Sequence, residues 1–386
     1  MRGGTGQRRN DAVKIGITCY PTYGGSGAMA TELGIALAHR GHEIHFITYR
    51  QPFRLPAFLP RVFFHEVDVG RYPLFEYPPY DLALAVRMHE VVLAHQLDLL
   101  HCHYAIPHAT SAWIAKEMLA GQGADIKVLT TLHGTDITIV GQDPSFHAIT
   151  KFSIEKSDGL TAVSRFLQQE TLSAFGCTGC RIEVIPNFVD PTVYDRARYP
   201  GSAGAFGDGR PVLMHISNFR PVKRVVDIVR TFARVNAELP CLLVMVGDGP
   251  DRILAEQEAR RLHVQEQVMF LGKIESVAPL LASADLYLLP TDRESFGLSA
   301  LEALASGTPV IGANVGGLPE VVEDGVTGAL CAVGDVEGMA AAALRILGDR
   351  NLWNTMSRAA AADARERYSL NDVVAHYERF YTAALK

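Results

Sequence analysis

Two glutamates, Glu294 and Glu302, flank a segment that is predicted to begin a helix near Phe296. The apolar run 285–290 just before them predicts a strand, so the segment joins a strand end to a helix start. A helix start presents free backbone N–H groups, which attract phosphate. With Glu302 in the second helical turn, the two Cα atoms are at most roughly 12 Å apart, about the span of a sugar and a ribose joined by a diphosphate. We therefore predict that the carboxylates grip hydroxyl groups while the amides between them hold phosphate.

Three cations, Arg220, Lys223 and Arg224, follow another strand-like run, 211–216. Arg forks to phosphate oxygens and Lys adds a point charge, so these residues can neutralise the charge that builds on a departing diphosphate. A solvated basic turn is the alternative. Gly-rich segments at 246–250 and 314–320 follow two further predicted strands, and we expect them at the same edge of the sheet as the three cations. Each segment is weak evidence for a ligand site by itself.

Glycines follow the first predicted strand in the dinucleotide-binding pattern G-x-G-x-x-A, at Gly25, Gly27 and Ala30. This pattern also demands an acid about twenty residues later, where the chain ends its second strand with Thr-Tyr-Arg at 48–50. Arg50 is able to accept a 2′-phosphate, so an NADP-dependent oxidoreductase is an alternative. We favour glycines that let the backbone approach a phosphate or sugar, and a merely tight turn is the remaining explanation.

Histidines mark two further strand ends. His101 and His103 lie on one face of a predicted strand, as a metal pair would, but no carboxylate is close in sequence, so lining of a ligand site is favoured. His133 follows the strand 127–132 and precedes Thr135 and Asp136. Loop residues of this kind usually face a ligand, and a buried structural histidine is the alternative for His133.

The elements that must position these residues are strand-like and helical runs that alternate along the chain. Near-continuous apolar strands between amphipathic helices predict parallel sheets covered on both faces, with ligands at the carboxyl ends of the strands. A Gly/Pro-rich stretch at 190–210 is typical of a linker between two such series. The fold class is therefore α/β, with two Rossmann-like doubly wound domains that face a central cleft. The predicted strands are 14–19, 43–48, 97–101, 127–132, 211–216, 241–246, 267–271, 286–289 and 308–312, and helices at 28–40 and 109–119 belong to the first series.

Composition narrows the class of protein. At 386 residues the chain exceeds the usual size of one core, and its net charge of −6 argues against nucleic-acid or anionic-membrane surfaces. No apolar segment follows the basic start, so neither a signal peptide nor a membrane-spanning run is predicted. Six scattered cysteines favour reduced thiols, and the single pair Cys177 and Cys180 gives little support to zinc. We expect a cytoplasmic enzyme with small-molecule substrates and no metal. The oligomeric state is open, and a homodimer is compatible with the sequence.

From Lys14 onward, the chain resembles the retaining glycosyltransferases of family four, which have the GT-B fold. The specific sign is the family pattern of two glutamates with seven residues between them, here Glu294 and Glu302. The resemblance implies that Glu294 binds hydroxyls of the donor sugar and Glu302 the ribose. Lys223 matches the phosphate-binding Lys of the family, whereas the Arg usually found five residues earlier is Asn218 here, so Arg220 is expected to supply that charge.

Several segments resemble a branch of this family that transfers N-acetylglucosamine from UDP-N-acetylglucosamine to L-malate, the first step of bacillithiol biosynthesis. These segments are 14–21, 24–27, 42–48, 77–82, 103–108, 132–136 and 216–220. Another acceptor, such as an inositol phosphate or a polysaccharide, is the runner-up, and a non-catalytic sugar-nucleotide sensor is a third alternative. The resemblance implies an acceptor domain at 11–195, joined by a C-terminal helix at 369–386, and a nucleotide-sugar domain at 205–368.

The same resemblance implies the roles of individual residues and a front-side mechanism in which the leaving diphosphate accepts the proton of the acceptor. No metal or other cofactor is implied, and His133 is expected to contact the sugar without acting as a general base. The catalytic candidates are His133, Arg220, Lys223 and Glu294; the donor-binding candidates are Gly25, Phe296, Gly297, Leu298, Ser299 and Glu302; the acceptor-binding candidates are Ser26, Tyr104, Thr131 and Arg165.

Overall fold

A computed structural model describes residues 12–22, 24–70, 76–177, 179–200, 206 and 209–386. The strands are β1 (Lys14–Thr18), β2 (Glu43–Thr48), β3 (Val62–Glu66), β4 (Leu99–His103), β5 (Lys127–Leu132), β6 (Gly159–Ala162), β7 (Ile182–Val184), β8 (Val212–Ser217), β9 (Leu242–Gly247), β10 (Val268–Gly272), β11 (Leu286–Leu289), β12 (Val310–Ala313) and β13 (Gly328–Cys331).

Helices connect these strands in alternation. They are α1 (Gly25–His39), α2 (Tyr80–His95), α3 (Thr110–Ala120), α4 (Pro144–Lys156), α5 (Arg165–Phe175), α6 (Val225–Glu238), α7 (Arg252–Arg261), α8 (Ala278–Ser283), α9 (Leu298–Ala305), α10 (Leu318–Val321), α11 (Val336–Gly348), α12 (Arg350–Arg367) and α13 (Leu370–Ala384). No helix of the described ranges is long and apolar enough to cross a bilayer.

The strands form two sheets. The first has the order β3-β2-β1-β4-β5-β6-β7 and the second the order β10-β9-β8-β11-β12-β13. Strands β1 to β5 pair in parallel, and so do all six strands of the second sheet. These are the two doubly wound, Rossmann-like sheets that the alternating pattern predicts, and the α/β fold class is confirmed.

The chain divides into two compact units. The first unit comprises the described parts of Met1–Thr161, Phe175–Ile182 and Glu378–Lys386, and the second comprises Ala162–Ala174 and the described parts of Glu183–Tyr377. Each unit has its own apolar core, which includes Leu84, Leu100 and Val128 in the first unit and Leu213, Leu243 and Ile311 in the second. All six residues of β9 are buried, as in a strand covered by helices on both faces. The last helix contributes to the first unit through Glu378, which pairs with Arg40, and through Tyr381.

Several predicted element ends shift by up to three residues, and two of these shifts concern candidate residues. β4 continues to His103, two residues beyond its predicted end, so that both His101 and His103 lie within the strand. The helix after β11 begins at Leu298 instead of near Phe296, because Gly297 takes a left-handed φ of +101° immediately before it. Ends of elements are the least regular part of a sequence pattern, whereas the buried middles of these strands are where predicted.

The predicted linker at 190–210 is in part fixed to the second unit. The Arg196 guanidinium donates to the carbonyl of Ala284 at 2.7 Å and to Thr308 Oγ1 at 2.9 Å. Positions 201–205, 207 and 208 of this stretch lie outside the described residues. The Arg196 contacts make the first half of the stretch part of the packed structure.

The expectation of reduced cysteines is wrong for one pair. Cys177 and Cys180 form a disulfide, and their Cα atoms are 5.5 Å apart, within the range that a disulfide needs. Among the described residues the free cysteines are Cys19, Cys102, Cys241 and Cys331. The short spacing is therefore used for covalent pairing.

Candidate active site

The loop between β11 and α9 carries the acid pair. Gly297, just before α9, has a φ of +101°, a backbone conformation that favours glycine over other residues. The first N–H groups of a helix have no acceptor within the helix. The start of α9 is therefore able to offer these donors to an anionic group between Glu294 and Glu302.

Glu294 is paired with the predicted phosphate-binding lysine. Its Oε2 atom accepts a hydrogen bond from Lys223 Nζ at 2.8 Å. The two loops are also joined through backbone, because the Asp292 N–H and the Thr291 hydroxyl both donate to the Val222 carbonyl, each at 2.9 Å. The structure thus brings together two residues that are 71 positions apart in sequence. One of three ammonium donors of Lys223 is used here, which leaves two for a ligand.

The Gly-rich exit of β12 holds the backbone of the acid loop. The Gly317 N–H donates to the Glu294 carbonyl at 2.8 Å, and a Cβ atom at Gly316 would lie 1.9 Å from that same oxygen. The Ser164 hydroxyl donates to the Ser295 carbonyl at 2.6 Å. Two carbonyl groups of the loop are thereby fixed, and with them the position of the Glu294 side chain.

Glu302 is positioned by a residue that sequence reasoning missed. The carboxylate is 6% exposed, and its Oε1 atom accepts a hydrogen bond from the Tyr194 hydroxyl at 2.6 Å. Tyr194 belongs to the stretch predicted as a linker and lies 108 positions before Glu302. A tyrosine in a Gly/Pro-rich stretch carries no periodic signal, so only the fold reveals this partnership.

A neutral polar network lies beside the start of α9. His215 on β8 donates to or accepts from Ser217 Oγ at 2.7 Å and lies 2.8 Å from the Leu288 carbonyl. Burial lowers the pKa of His215 to about 3, so its ring is neutral and donates through Nδ1 to that carbonyl. The Tyr287 hydroxyl donates to the Ile216 carbonyl at 3.0 Å and also bonds Ser299. Ser299 is thus held by one uncharged hydroxyl group, that of Tyr287. Sequence reasoning singled out neither His215 nor Tyr287, whose buried strand positions look like ordinary core.

The three cations after β8 have different surroundings. Arg224 is held by Asp227 at 2.8 Å and by Asp292 at 2.9 Å, whereas the Arg220 side chain is exposed. Asn218, at the position of the expected family Arg, has a buried Oδ1 atom with no hydrogen-bond partner in the described parts of the chain. Arg220 and Lys223 are therefore the cations with donors left for a ligand, and Arg224 serves the structure of the loop.

The predicted glycine loop of the first unit begins α1. A Cβ atom at Gly27 would lie 2.3 Å from the Tyr20 carbonyl, so glycine permits α1 to pack against the residues that follow β1. Ser26 Oγ lies 3.0 Å from the Tyr104 hydroxyl, and Gly25 is exposed beside it. Burial raises the pKa of Tyr104 to about 12, which keeps this phenol neutral. Two predicted acceptor residues are thus in direct contact.

His133 is paired with another histidine. Its Nε2 atom lies 2.8 Å from Nδ1 of His103, and burial lowers the pKa of His133 to about 3. The loop that follows is fixed by Asp136, whose carboxylate accepts the N–H groups of Ala105 and Gly134, each at 3.0 Å. Desolvation raises the pKa of Asp136 to about 6. Sequence reasoning placed Asp136 in a ligand-facing loop, whereas the structure uses its carboxylate to tie the ends of β4 and β5 together.

Thr131 is fully buried, and its hydroxyl lies 2.7 Å from His101 Nε2 and 2.7 Å from Thr161 Oγ1. The Tyr381 hydroxyl of α13 completes this network at 2.8 Å from His101 Nδ1. The backbone of Thr131 adjoins another candidate, since its carbonyl accepts the Tyr104 N–H at 3.0 Å. A direct contact of the Thr131 side chain with an acceptor stays a prediction.

Arg165 belongs to the second unit, at the start of α5. Its backbone N–H and that of Phe166 donate to the Glu320 carboxylate at 2.9 Å and 2.8 Å. The candidates therefore divide between the units: Gly25, Ser26, Tyr104, Thr131 and His133 lie in the first, and Arg165, Arg220, Lys223, Glu294, Phe296, Gly297, Leu298, Ser299 and Glu302 lie in the second.

Comparison with known families gives two matches that together span most of the chain. Residues 23–193 match the model for Glycosyltransferase Family 4, and residues 202–363 match that for Glycosyl transferases group 1. The candidate residues of both units thus fall within matched ranges.

Individual relatives agree with these matches. The chain is 48% identical to N-acetyl-alpha-D-glucosaminyl L-malate synthase of Bacillus anthracis, over 97% of this chain and 98% of that protein. It is 28% identical to D-inositol 3-phosphate glycosyltransferase of Nocardia farcinica, over 88% and 81% of the two chains. Among solved structures, sucrose-phosphate synthase of Thermosynechococcus elongatus superposes with a TM-score of 0.77 at 21% identity, over 96% and 98% of the chains. That last likeness shows the fold.

Proposed function

The chain belongs to glycosyltransferase family 4, and from this premise we propose that it transfers N-acetylglucosamine from UDP-N-acetylglucosamine to the hydroxyl of L-malate with retention at the anomeric carbon. The observation that carries the proposal is 48% identity over 97% of the chain to the malate synthase, a match that includes both units. The reaction would be the first step of bacillithiol biosynthesis, and we assign it to the cytoplasm.

The geometry of the second unit supports the donor half of this reaction. A UDP-sugar needs cations and amide donors for its diphosphate and acceptors for its hydroxyls. Lys223, Arg220 and the first turn of α9 supply the donors, and Glu294 and Glu302 supply the acceptors. Since Lys223 and Glu294 already form an ion pair, the ammonium is held where it can also reach phosphate.

In the proposed step, the bond between the anomeric carbon and the diphosphate oxygen breaks on the same face on which the malate oxygen bonds. The malate hydroxyl proton passes to an oxygen of the departing diphosphate, so the products are α-linked N-acetylglucosaminyl malate and UDP. Charge grows on the diphosphate as the bond breaks, and Lys223, Arg220 and the α9 amides stabilise it. No protein group has to take the proton, and we assign no cofactor or metal to the reaction.

In the first unit, Ser26 and Tyr104 offer neutral hydroxyls to the acceptor, and His133 offers a neutral imidazole to the sugar. Malate is a dianion, so its binding also needs a cation. We assign Arg165 as the cation that binds malate. Thr131 is assigned to the acceptor through its backbone position beside Tyr104. We infer from family membership that the glycines at the start of α1 serve a glycosyl donor and not a nicotinamide cofactor.

The test is product formation from defined substrates. Protein is incubated with UDP-N-acetylglucosamine and L-malate, UDP is quantified, and the product is identified by mass and its anomeric configuration by NMR. We expect malate-dependent UDP release and an α-linked product. D-malate and myo-inositol 1-phosphate serve as matched acceptors: turnover with the inositol phosphate alone would overturn the assignment to malate and leave the transferase intact.

UDP binding without turnover on any of these acceptors would instead indicate a sugar-nucleotide sensor. Binding is measured by titration calorimetry with UDP and with NADP on the same sample. Tight NADP binding without UDP binding would contradict the donor assignment as a whole.

A further inference from the structure

Three histidines meet on the first sheet, away from every residue assigned to the transfer reaction. They are His45 on β2, His65 on the neighbouring strand β3, and His95, the last residue of α2. One nitrogen atom of each ring lies within 4.8 Å of the nitrogen atoms of the other two. The ring centroids are 5.1 Å apart for His45 and His65, and 4.5 Å for His45 and His95. Side chains from three separate elements therefore converge on one point.

The pattern of hydrogen bonds leaves ring nitrogens directed at that point. Nε2 of His45 lies 3.1 Å from the Glu43 carboxylate, which places a proton on Nε2 and a lone pair on Nδ1. This Nδ1 lies 2.8 Å from Nε2 of His65. A carboxylate that binds the far nitrogen of an imidazole is the usual arrangement for a histidine that ligates a metal, because it fixes the tautomer and the ring plane.

The spacing requires only small movements to accept an ion. Two imidazole nitrogens on one tetrahedral Zn²⁺, each about 2.0–2.1 Å from the metal, are about 3.3 Å apart. The His45 and His65 nitrogens, now 2.8 Å apart, would separate by about 0.5 Å, and the separations to His95, which are at most 4.8 Å, would close by at most about 1.5 Å. His65 and His95 are partly exposed, so rotation of their side chains is sufficient.

The surroundings are compatible with bound cation. Burial lowers the pKa of His45 and lowers that of His65 to about 4, so both rings are neutral at neutral pH. Lys14 on β1 is a cation that acts on His45, and its ammonium lies 3.6 Å from the Glu43 carboxylate, which balances its charge. Arg87 of α2 also faces His65, and its Nη1 atom is paired with Glu90 at 3.0 Å.

We propose that His45, His65 and His95 form a binding site for a divalent transition-metal ion of the zinc type, with water in the fourth position. Imidazole is a preferred ligand of such ions, and three histidines with a supporting carboxylate complete a usual ligand set. The ion links the edge strand β3 and the end of α2 to β2. None of its three ligands is among the residues assigned to sugar transfer.

The test uses untagged protein stripped with a chelator and dialysed against Zn²⁺ or Co²⁺. We expect about one equivalent of metal by elemental analysis, visible absorption bands of tetrahedral Co²⁺, and a higher Tm with Zn²⁺. His65→Gln and His95→Gln should each reduce the affinity at least tenfold. His263→Gln, at an exposed histidine of the second unit, is the matched control and should bind as the wild type does.

Two outcomes would overturn the proposal. The first is wild-type protein that shows no Co²⁺ bands and no Zn²⁺ shift of Tm at micromolar metal, a result that needs no variant to fold. The second is metal binding of equal affinity and stoichiometry in His65→Gln and His95→Gln. Malate-dependent turnover is measured in the same samples, so failure of this site is distinguished from failure of the proposed reaction.

Discussion

The two units present different chemistry at their predicted binding residues. In the second unit the groups are charged: Glu294 pairs with Lys223, Arg224 pairs with Asp292, and Arg220 is exposed. In the first unit the corresponding groups are neutral, since the Tyr104 phenol is protonated and the His133 imidazole carries only one proton. The difference matches the proposed ligands, because a diphosphate gains charge during transfer whereas the acceptor keeps its charge.

This contrast also explains why the acceptor candidates are divided between the units. Ser26 and Tyr104 can select an acceptor by hydrogen bonds but cannot neutralise a dianion. The cation assigned to malate, Arg165, belongs to the second unit. The acceptor candidates thus comprise a cation in the second unit and neutral groups in the first.

The largest expected effect comes from breaking the charged pair. The Glu294→Gln substitution removes the carboxylate that holds Lys223 and that we assign to the sugar hydroxyls, so we expect kcat to fall by about 10²–10³, the range for loss of one charge-stabilising group. Turnover with UDP-N-acetylglucosamine and malate measures it, with Tm as a check on folding.

Glu275→Gln is the control for this substitution, because Glu275 is an exposed acid of the same unit. It should retain wild-type kcat. A fall in kcat of less than fivefold in Glu294→Gln would contradict the role assigned to the pair of Glu294 and Lys223.

The pH dependence of stability tests the neutral groups of the first unit. His101 and His108 are fully buried in the first unit, with pKa values lowered by burial to about 3 and about 4, and His215 is the one buried histidine of the described second unit. A histidine with a lowered folded pKa stabilises the fold above its unfolded pKa of about 6.5, and this stability is lost as pH falls toward the folded value. At pH 5.5 the loss is about 1.4 kcal/mol for each such group.

A fall in pH should therefore lower the free energy of unfolding of the first unit before that of the second. Asp136 acts in the opposite direction, because its raised pKa of about 6 favours the protonated folded state below that pH, but it is one group against several histidines. Hydrogen exchange at pH 7 and pH 5.5, corrected for intrinsic rates, should show protection lost in β4 and β5 ahead of β8 and β9. Equal loss in both sheets would refute the difference.

The residues of this comparison differ in how far the sequence predicts them. The segment from Glu294 to Glu302 is predicted because a strand, a glycine and a helix follow one another locally, and the structure has that order. Tyr194 and His215 are missed because their importance comes from contacts with distant residues, at Glu302 and at the Leu288 carbonyl. Asp136 is noticed for its position in a loop, whereas its backbone partner Ala105 requires the parallel register of β4 and β5. Local pattern reveals strand ends, and tertiary contacts decide what each side chain does there.

A smaller effect is expected where a neutral residue supports a charged one. Tyr194→Phe removes the hydroxyl that donates to Glu302 at 2.6 Å, and loss of a hydrogen bond to a charged group is about 1.5 kcal/mol, or about tenfold. We expect KM for the donor to rise by about that factor, with KM for malate unchanged. Tyr199→Phe is the control from the same stretch, since the exposed Tyr199 hydroxyl donates to the Val193 carbonyl. An unchanged donor KM would show that Glu302 does not need this tyrosine.

The smallest effect is expected on the neutral side of the acceptor site. Tyr104→Phe removes a hydroxyl that lies 3.0 Å from Ser26, and one neutral hydrogen bond is about 1 kcal/mol, so KM for malate should rise about fivefold while KM for the donor stays constant. Tyr77→Phe, at an exposed tyrosine of the same unit, should change neither.

The salt dependence of KM for malate distinguishes the effect of Tyr104→Phe from the effect of replacing the charged residue Arg165. Between about 50 and 500 mM salt, the ratio of malate KM values for Tyr104→Phe and wild type should stay constant, because screening acts on charges. The corresponding ratio for Arg165→Gln should shrink, since salt already weakens the wild-type contact. If the Tyr104→Phe ratio also changes with salt, the first unit does not recognise the acceptor by neutral groups alone.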